Sequence, residues 1–132
     1  ASESRPAVVL GGLSLSGLAA AHVAMLHPQA IPAVFCQSAS FWWREGWLTE
    51  QVRRSAPISV RVRISVGNLE TADYVEHGLD LVQRISQVDS NRAMRDALRE
   101  NGCTVRYEEY AGGHDLKSWR QDLPRALEAL LT

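Results

Sequence analysis

In the stretch Gly12-Leu13-Ser14-Leu15-Ser16-Gly17 a serine sits between small residues two positions before it and two after it. That spacing is close to G-x-S-x-G, a turn that carries a strand sharply into a helix and leaves the serine hydroxyl exposed at its apex. The flanking residues must be small because the two backbone arms pass close together. Gly12 meets the requirement, while the later position holds Ser16 where the pattern has glycine. A helix beginning here points its N-terminus at Ser14, and the backbone N–H of Leu15 can then serve an oxyanion. Taken alone, the stretch reads equally well as an ordinary strand-to-helix turn.

A nucleophilic serine needs a base within hydrogen-bond reach, and the base needs a carboxylate to orient it. His114, in Ala111-Gly112-Gly113-His114-Asp115, lies on a glycine-rich loop able to hold an imidazole over a strand edge. The competing reading is a surface-turn histidine. For the acid, Glu70 follows the end of a strand at Gly67 by three residues, and Asp73 and Asp80 are rivals on the same loop. Asp115, adjacent to His114, reads as a group that orders the loop locally. The chain order serine, acid, histidine is that of strand-turn-helix serine hydrolases.

The elements that must position these groups read as alternating strands and helices. Residues 7–10 are a continuous apolar run, suited to a strand covered on both faces, and residues 18–26 show helical spacing up to His27-Pro28. Residues 31–36 form a second strand ending in Gln37-Ser38-Ala39-Ser40. An aromatic cluster of Phe41, Trp42, Trp43 and Trp47 leads into a helix from about 46 to 55, stopped by Pro57. Residues 58–66 alternate arginine with Val and Ile, which predicts a strand with one wetter face. Residues 68–88 read as a long loop with a short helix, and long loops in compact domains are often functional. A helix capped by Asp89 or Ser90 ends at Asn101-Gly102, residues 103–110 form a fourth strand, and a last helix runs to about 131. Pro124 fits that helix only in an early turn or at a kink. This order predicts an α/β layer structure on a parallel sheet, with the polar loops gathered at the carboxyl ends of the strands.

Composition narrows the function classes. With 132 residues, 45% of them hydrophobic, the chain can bury one core, so residues 1–132 read as a single unit. A net charge of −1 gives no broad field, which argues against nucleic acid and anionic membrane surfaces as partners. No apolar run approaches a membrane span, and the polar opening ASESRP has no signal-type apolar core. Cys36 and Cys103 stand far apart, outside any metal-ligand spacing, and His22, His27, His77 and His114 contain no HxxxH pair. Free thiols in a reducing compartment, and no metal or other cofactor, are the expectation.

The runs GGLSLSGLAA, FCQSASFWW, ISVGNLE, NRAMRDALRENG and YEEYAGGHDLKSWR together resemble the catalytic domain of the enterochelin (ferric enterobactin) esterase family, among the esterase D-like α/β-hydrolases. The resemblance implies Ser14 as nucleophile, His114 as general base and Glu70 as acid. It places Ser38, Ser40, Trp42 and Trp43 beside the substrate pocket, with Trp119 and Arg120 after the histidine loop. It also implies a cytoplasmic enzyme that opens the ester bonds of a catecholate siderophore. In the family's eight-stranded sheet the serine turn follows the fifth strand. The chain is therefore expected to form the C-terminal half of an α/β-hydrolase domain, a four-stranded, mainly parallel sheet flanked by helices, without the N-terminal strands. Its first strand would be an apolar edge open to the missing half of the domain or to a second copy, and one of two oxyanion donors would come from outside the chain. A general carboxylesterase or acyltransferase of the same group, or a catalytically silent interaction module, are the alternatives.

Overall fold

The structure, a computed structural model, describes residues 5–132; residues 1–4, part of the polar opening, lie outside them. Four strands make one wholly parallel sheet in the order β1 (Val9–Leu13), β2 (Ala33–Gln37), β3 (Arg61–Gly67) and β6 (Thr104–Tyr110). Each strand is followed by a polar or glycine-containing turn at its carboxyl end, which is the edge where a parallel sheet presents ligands and reactive groups.

Helices α1 (Ser14–Leu26), α2 (Trp43–Arg54) and α3 (Gln87–Asn101) cover one face. Their Ala20, Ala21, Ala24, Leu48, Val52, Met94 and Leu98 close over Val34, Cys36, Val62 and Ile64, which project from the strands at the period of two expected of one sheet face. The alanines of α1 let that helix lie close to β1 and β2. Cys36 is fully buried, and burial pushes its thiol up to about 12, so it stays protonated and unreactive.

The opposite face is covered by α4 (Leu116–Leu131), which packs on β2 and β3 through Trp119, Asp122, Ala126 and Leu130. The arginine alternation in β3 predicts a wetter face, and here the structure corrects the expectation. Arg63 is only 3% exposed. Its guanidinium donates to both Asp122 oxygens at 3.0 and 2.9 Å and to Glu108 Oε2 at 2.8 Å, and Ser65 Oγ and Gln37 Nε2 also donate to Asp122. Burial raises the Asp122 pKa, but these hydrogen bonds and the Arg63 charge hold its carboxyl below the ordinary value.

Several element boundaries differ from the sequence reading. Helix α1 starts at Ser14 itself, because the chain turns there in one step. Residues 68–86 hold no helix but a short antiparallel hairpin, β4 (Val75–Glu76) with β5 (Val82–Gln83). Ser86, not Asp89 or Ser90, caps α3 by accepting from the Asp89 N–H at 3.0 Å. Pro124 stands in the middle of α4 rather than in an early turn. It and Arg120 are exposed, so the Arg120 carbonyl that loses a helical partner faces water.

Candidate active site

The turn from β1 to α1 places Ser14 at φ 52, in the left-handed region that costs a residue with a Cβ about 1–2 kcal/mol. What forces the turn is the approach of its two arms. A Cβ on Gly12 would lie 2.2 Å from the Ser16 carbonyl oxygen. Ser16, the atypical letter of the motif, ties the first helical turn to the strand end. Its Oγ accepts from Leu13 N–H at 2.9 Å and donates to Leu13 O at 2.6 Å. Leu15 is the second residue of α1, where backbone N–H groups have no intrahelical partner and are available to a ligand.

Ser14 Oγ lies 3.1 Å from His114 Nε2, and His114 Nδ1 lies 2.6 Å from Glu70 Oε1. With the carboxylate against Nδ1, the ring proton belongs there, which leaves Nε2 as an acceptor facing the serine. The histidine side chain is 36% exposed and the glutamate 3%. The structure thus brings Ser14, His114 and Glu70 into one hydrogen-bonded line. Asp73 and Asp80 are exposed on the 68–86 segment, and the carboxylate bonded to His114 is that of Glu70. Asp115 caps α4 by accepting from Ser118 N–H at 2.8 Å; hydrogen bonds from Ser118 hold its carboxyl below the ordinary value.

The His114 loop and the Glu70 turn are held to each other by backbone. A Cβ on Gly67 would lie 2.3 Å from the Gly112 carbonyl oxygen, so only glycine permits this approach. Leu69 N–H donates to that same oxygen at 3.0 Å. Glu70 Oε2, the oxygen turned away from His114, accepts from Gly67 N–H at 2.7 Å and from Ser38 Oγ at 2.6 Å.

Of the residues expected beside a substrate, Ser40 meets the serine, its Oγ 3.5 Å from Ser14 Oγ and its N–H donating to Ser14 O at 3.0 Å. Ser38 lies elsewhere. It has no exposed surface, and its hydroxyl is bonded to the Glu70 carboxylate. Trp42 is also buried, stacked on the His77 ring at 4.7 Å, and Trp43 stands edge-on to Trp47 with the Arg44 guanidinium over its ring. Arg120 is exposed on α4, whereas Trp119 packs edge-on against His114 at 4.8 Å. Sequence reasoning missed Tyr110 and the 75–83 hairpin within the segment it read as a loop. The hairpin closes a mostly apolar cavity of about 210 Å³, with Leu69, Ala72, Val75 and His77 on its walls beside Glu70 and His114. Among the described residues no three His, Cys, Asp or Glu side chains converge to hold a metal ion.

The family model described as "Putative esterase" matches residues 1–130. The chain belongs to this esterase family. Among relatives of this esterase chain, the iron(III) enterobactin esterase of Dickeya dadantii is 29% identical over 99% of the chain and 31% of the relative's length. The iron(III) salmochelin esterase of Escherichia coli O6:H1 is 32% identical over 88% of the chain and 28% of the relative. Among solved structures, the enterobactin esterase of Shigella flexneri, determined in the presence of enterobactin, superposes with a TM-score of 0.75 at 26% identity, over 93% of the chain and 30% of that structure. A ferulic acid esterase at 18% identity and TM-score 0.73 shares the fold. The esterase chain spans about a third of the length of the curated relatives it matches. These matches bear out the enterochelin esterase resemblance and the α/β-hydrolase fold.

Proposed function

We propose that this chain carries the nucleophile, base and acid of a serine esterase that hydrolyses the ester bonds of a catecholate siderophore of the enterobactin type, with the ferric complex as substrate and iron as released cargo. The observation that supports the chemistry is the unbroken line from Ser14 at its left-handed turn through His114 to Glu70. The substrate class rests on the similarity to enterobactin and salmochelin esterases.

In this reading Ser14 Oγ attacks the ester carbonyl as its proton passes to His114 Nε2. Glu70 stabilises the imidazolium and holds its orientation, and Leu15 N–H donates to the tetrahedral oxyanion. Collapse breaks the ester C–O bond, and the leaving alcohol takes the proton from His114. Water then attacks the acyl-serine by the same path, restoring Ser14 and releasing the acid. Ser40, the partly exposed Trp43 and the cavity lined by the 68–86 segment contact the substrate, and the buried Trp42 backs the cavity wall through its stack on His77. No cofactor takes part, because iron arrives within the substrate, and the reaction belongs in the cytoplasm. Residues 1–132 act as the C-terminal half of the catalytic domain. Among the described residues β1 pairs only with β2. Its outer edge takes a partner, either further strands of the same domain or a second copy, which also brings the second oxyanion donor.

A fluorophosphonate probe tests the chemistry, with labelling of Ser14 expected and absence of labelling in both this chain and a longer parent counting against it. Turnover of a trilactone siderophore compared with a simple aryl ester tests the substrate class. Preference for the aryl ester would favour a general carboxylesterase.

A further inference from the structure

Ser38 stands where three elements meet, and its surroundings leave its hydroxyl one direction. It follows β2, is wholly buried, and is held at φ 45 with its N–H bonded to Ser65 O at 2.8 Å. Trp119 Nε1, from α4, donates to Ser38 Oγ at 3.0 Å, and the indole has no capacity to accept. Tyr110 OH, at the end of β6, lies 3.0 Å from the same oxygen. Burial pushes the Tyr110 hydroxyl up to about 12 against the lowering effect of its Ser38 bond, with the Glu70 and Asp122 charges adding to the rise, so it keeps its proton at neutral pH. Tyr110 OH also donates to the Gly113 carbonyl at 3.3 Å, and the Glu70 carboxylate can only accept, so the Ser38 proton goes to Glu70 Oε2, 2.6 Å away.

We propose that Ser38, aligned by Trp119 and Tyr110, is a positioning residue that fixes the Glu70 carboxylate and through it the proton on His114 Nδ1. The inference rests on the esterase reading and gives Ser38 a role that needs no contact with substrate. A carboxylate held by Gly67 N–H alone keeps one anchor on Oε2 and can rotate about it. Two anchors from different elements fix the plane in which Oε1 meets the imidazole. The strained backbone at Ser38 is consistent with this, because a left-handed residue with a Cβ persists only where its surroundings determine it.

The test uses two substitutions that remove the same hydroxyl with opposite backbone effects. Ser38→Gly suits the left-handed conformation and Ser38→Ala does not, so a role confined to the turn leaves the glycine variant with full activity. The expected result is that both variants label with fluorophosphonate about 10- to 100-fold more slowly than the parent. That loss is smaller than the ~10⁴-fold seen when an orienting acid itself is neutralised, because Gly67 N–H remains. With an ester substrate the loss falls on kcat with KM unchanged. Trp119→Phe keeps the ring against His114 but removes the donor, and slows labelling about 3- to 10-fold, the scale of one ordinary hydrogen bond. Imidazole ¹⁵N shifts of His114 read the proton directly: on Nδ1 in the parent, distributed over both nitrogens in Ser38→Gly. If Ser38→Gly labels at the parental rate or keeps the Nδ1 proton, the proposal fails. If neither this chain nor a longer parent labels, the esterase reading fails, and the ¹⁵N shifts still decide whether Ser38 orients the pair.

Discussion

Glu70 uses its two oxygens for different purposes: Oε1 meets His114 Nδ1 at 2.6 Å, while Oε2 is held from behind by Gly67 and Ser38. A neutral amide at this position would lose the charge and offer donor hydrogens where donors already point. Glu70→Gln is expected to lower turnover of an ester substrate by about 10³- to 10⁴-fold, the scale of an acid that fixes the wrong tautomer when neutralised. Asp73→Asn and Asp80→Asn, at exposed positions, should stay within about twofold. Steady-state kinetics on the three variants checks the choice of acid.

Ser14→Gly and Ser14→Ala both remove the proposed nucleophile, and both should abolish labelling. Their stabilities should diverge. Glycine relieves the left-handed strain of about 1–2 kcal/mol, partly offset by its larger loss of backbone entropy, whereas alanine keeps the strain. Ser14→Gly should therefore be about 0.5–1 kcal/mol more stable than Ser14→Ala in denaturant unfolding.

Ser16→Gly would complete the G-x-S-x-G pattern while deleting both Leu13 hydrogen bonds, and is expected to cost about 1 kcal/mol. Gly12→Ala meets the Ser16 carbonyl head-on and should cost about 2–3 kcal/mol, with the site opened as well. Urea midpoints of the two variants give the comparison.

Asp122→Ala leaves the Arg63 guanidinium buried with only Glu108 beside it, so a loss of about 3–5 kcal/mol is expected. Asp122→Asn keeps an acceptor and should lose less. Because α4 carries Trp119, both variants should also slow Ser14 labelling, which separates them from a purely peripheral change.

Glu109 gives a pH-dependent contribution of known sign. Bidentate hydrogen bonds from Arg92 at 2.7 and 2.8 Å, with Tyr107 OH at 2.6 Å, hold its carboxyl at about 2 against an ordinary value of 4.5. A carboxyl depressed by folding stabilises the fold above its unfolded value and loses that contribution as pH falls through the folded one. The stability difference between the parent and Glu109→Gln should be full at pH 6 and shrink between about 4.5 and about 2. Thermal melts across that range measure it, and high salt should narrow the difference, since Arg92 is half-exposed.

The strands and helices were legible wherever one periodicity ran long enough to be unambiguous, as in β2 and the body of α3. Strand β1 spans Val9–Leu13 rather than 7–10 and is partly exposed throughout, because its second half is the glycine pair entering the turn and it lies at the sheet edge. Ser14, His114 and Glu70 could be singled out because each follows the end of a strand, and a parallel sheet gathers such positions at one edge. The reading went wrong where tertiary contacts decide. Arg63 looked like a solvent-facing residue of β3 because its buried partner Asp122 lies 59 residues away on α4. The bonds of Ser38 to Trp119, 81 positions on, and to Tyr110, 72 positions on, have no signal near it in sequence. The hairpin of residues 75–83 carries too few alternating residues to show as strands. Ser16 looks like a defect in a motif until its bonds to Leu13 are taken into account.

The hydrogen bond between Ser14 and His114 spans 100 residues of chain, and that between Glu70 and His114 spans 44. Neither has any local structure to form in. The Glu70–His114 bond needs β3 paired with β6, but the Ser14–His114 bond must wait until all four strands are paired, because Ser14 and His114 follow the two edge strands, and parallel pairing of distant segments is slow. Reactivity of Ser14 should accordingly be the last property to return on refolding, appearing after helical signal has recovered. The serine thereby becomes a chemical clock for completion of the whole sheet.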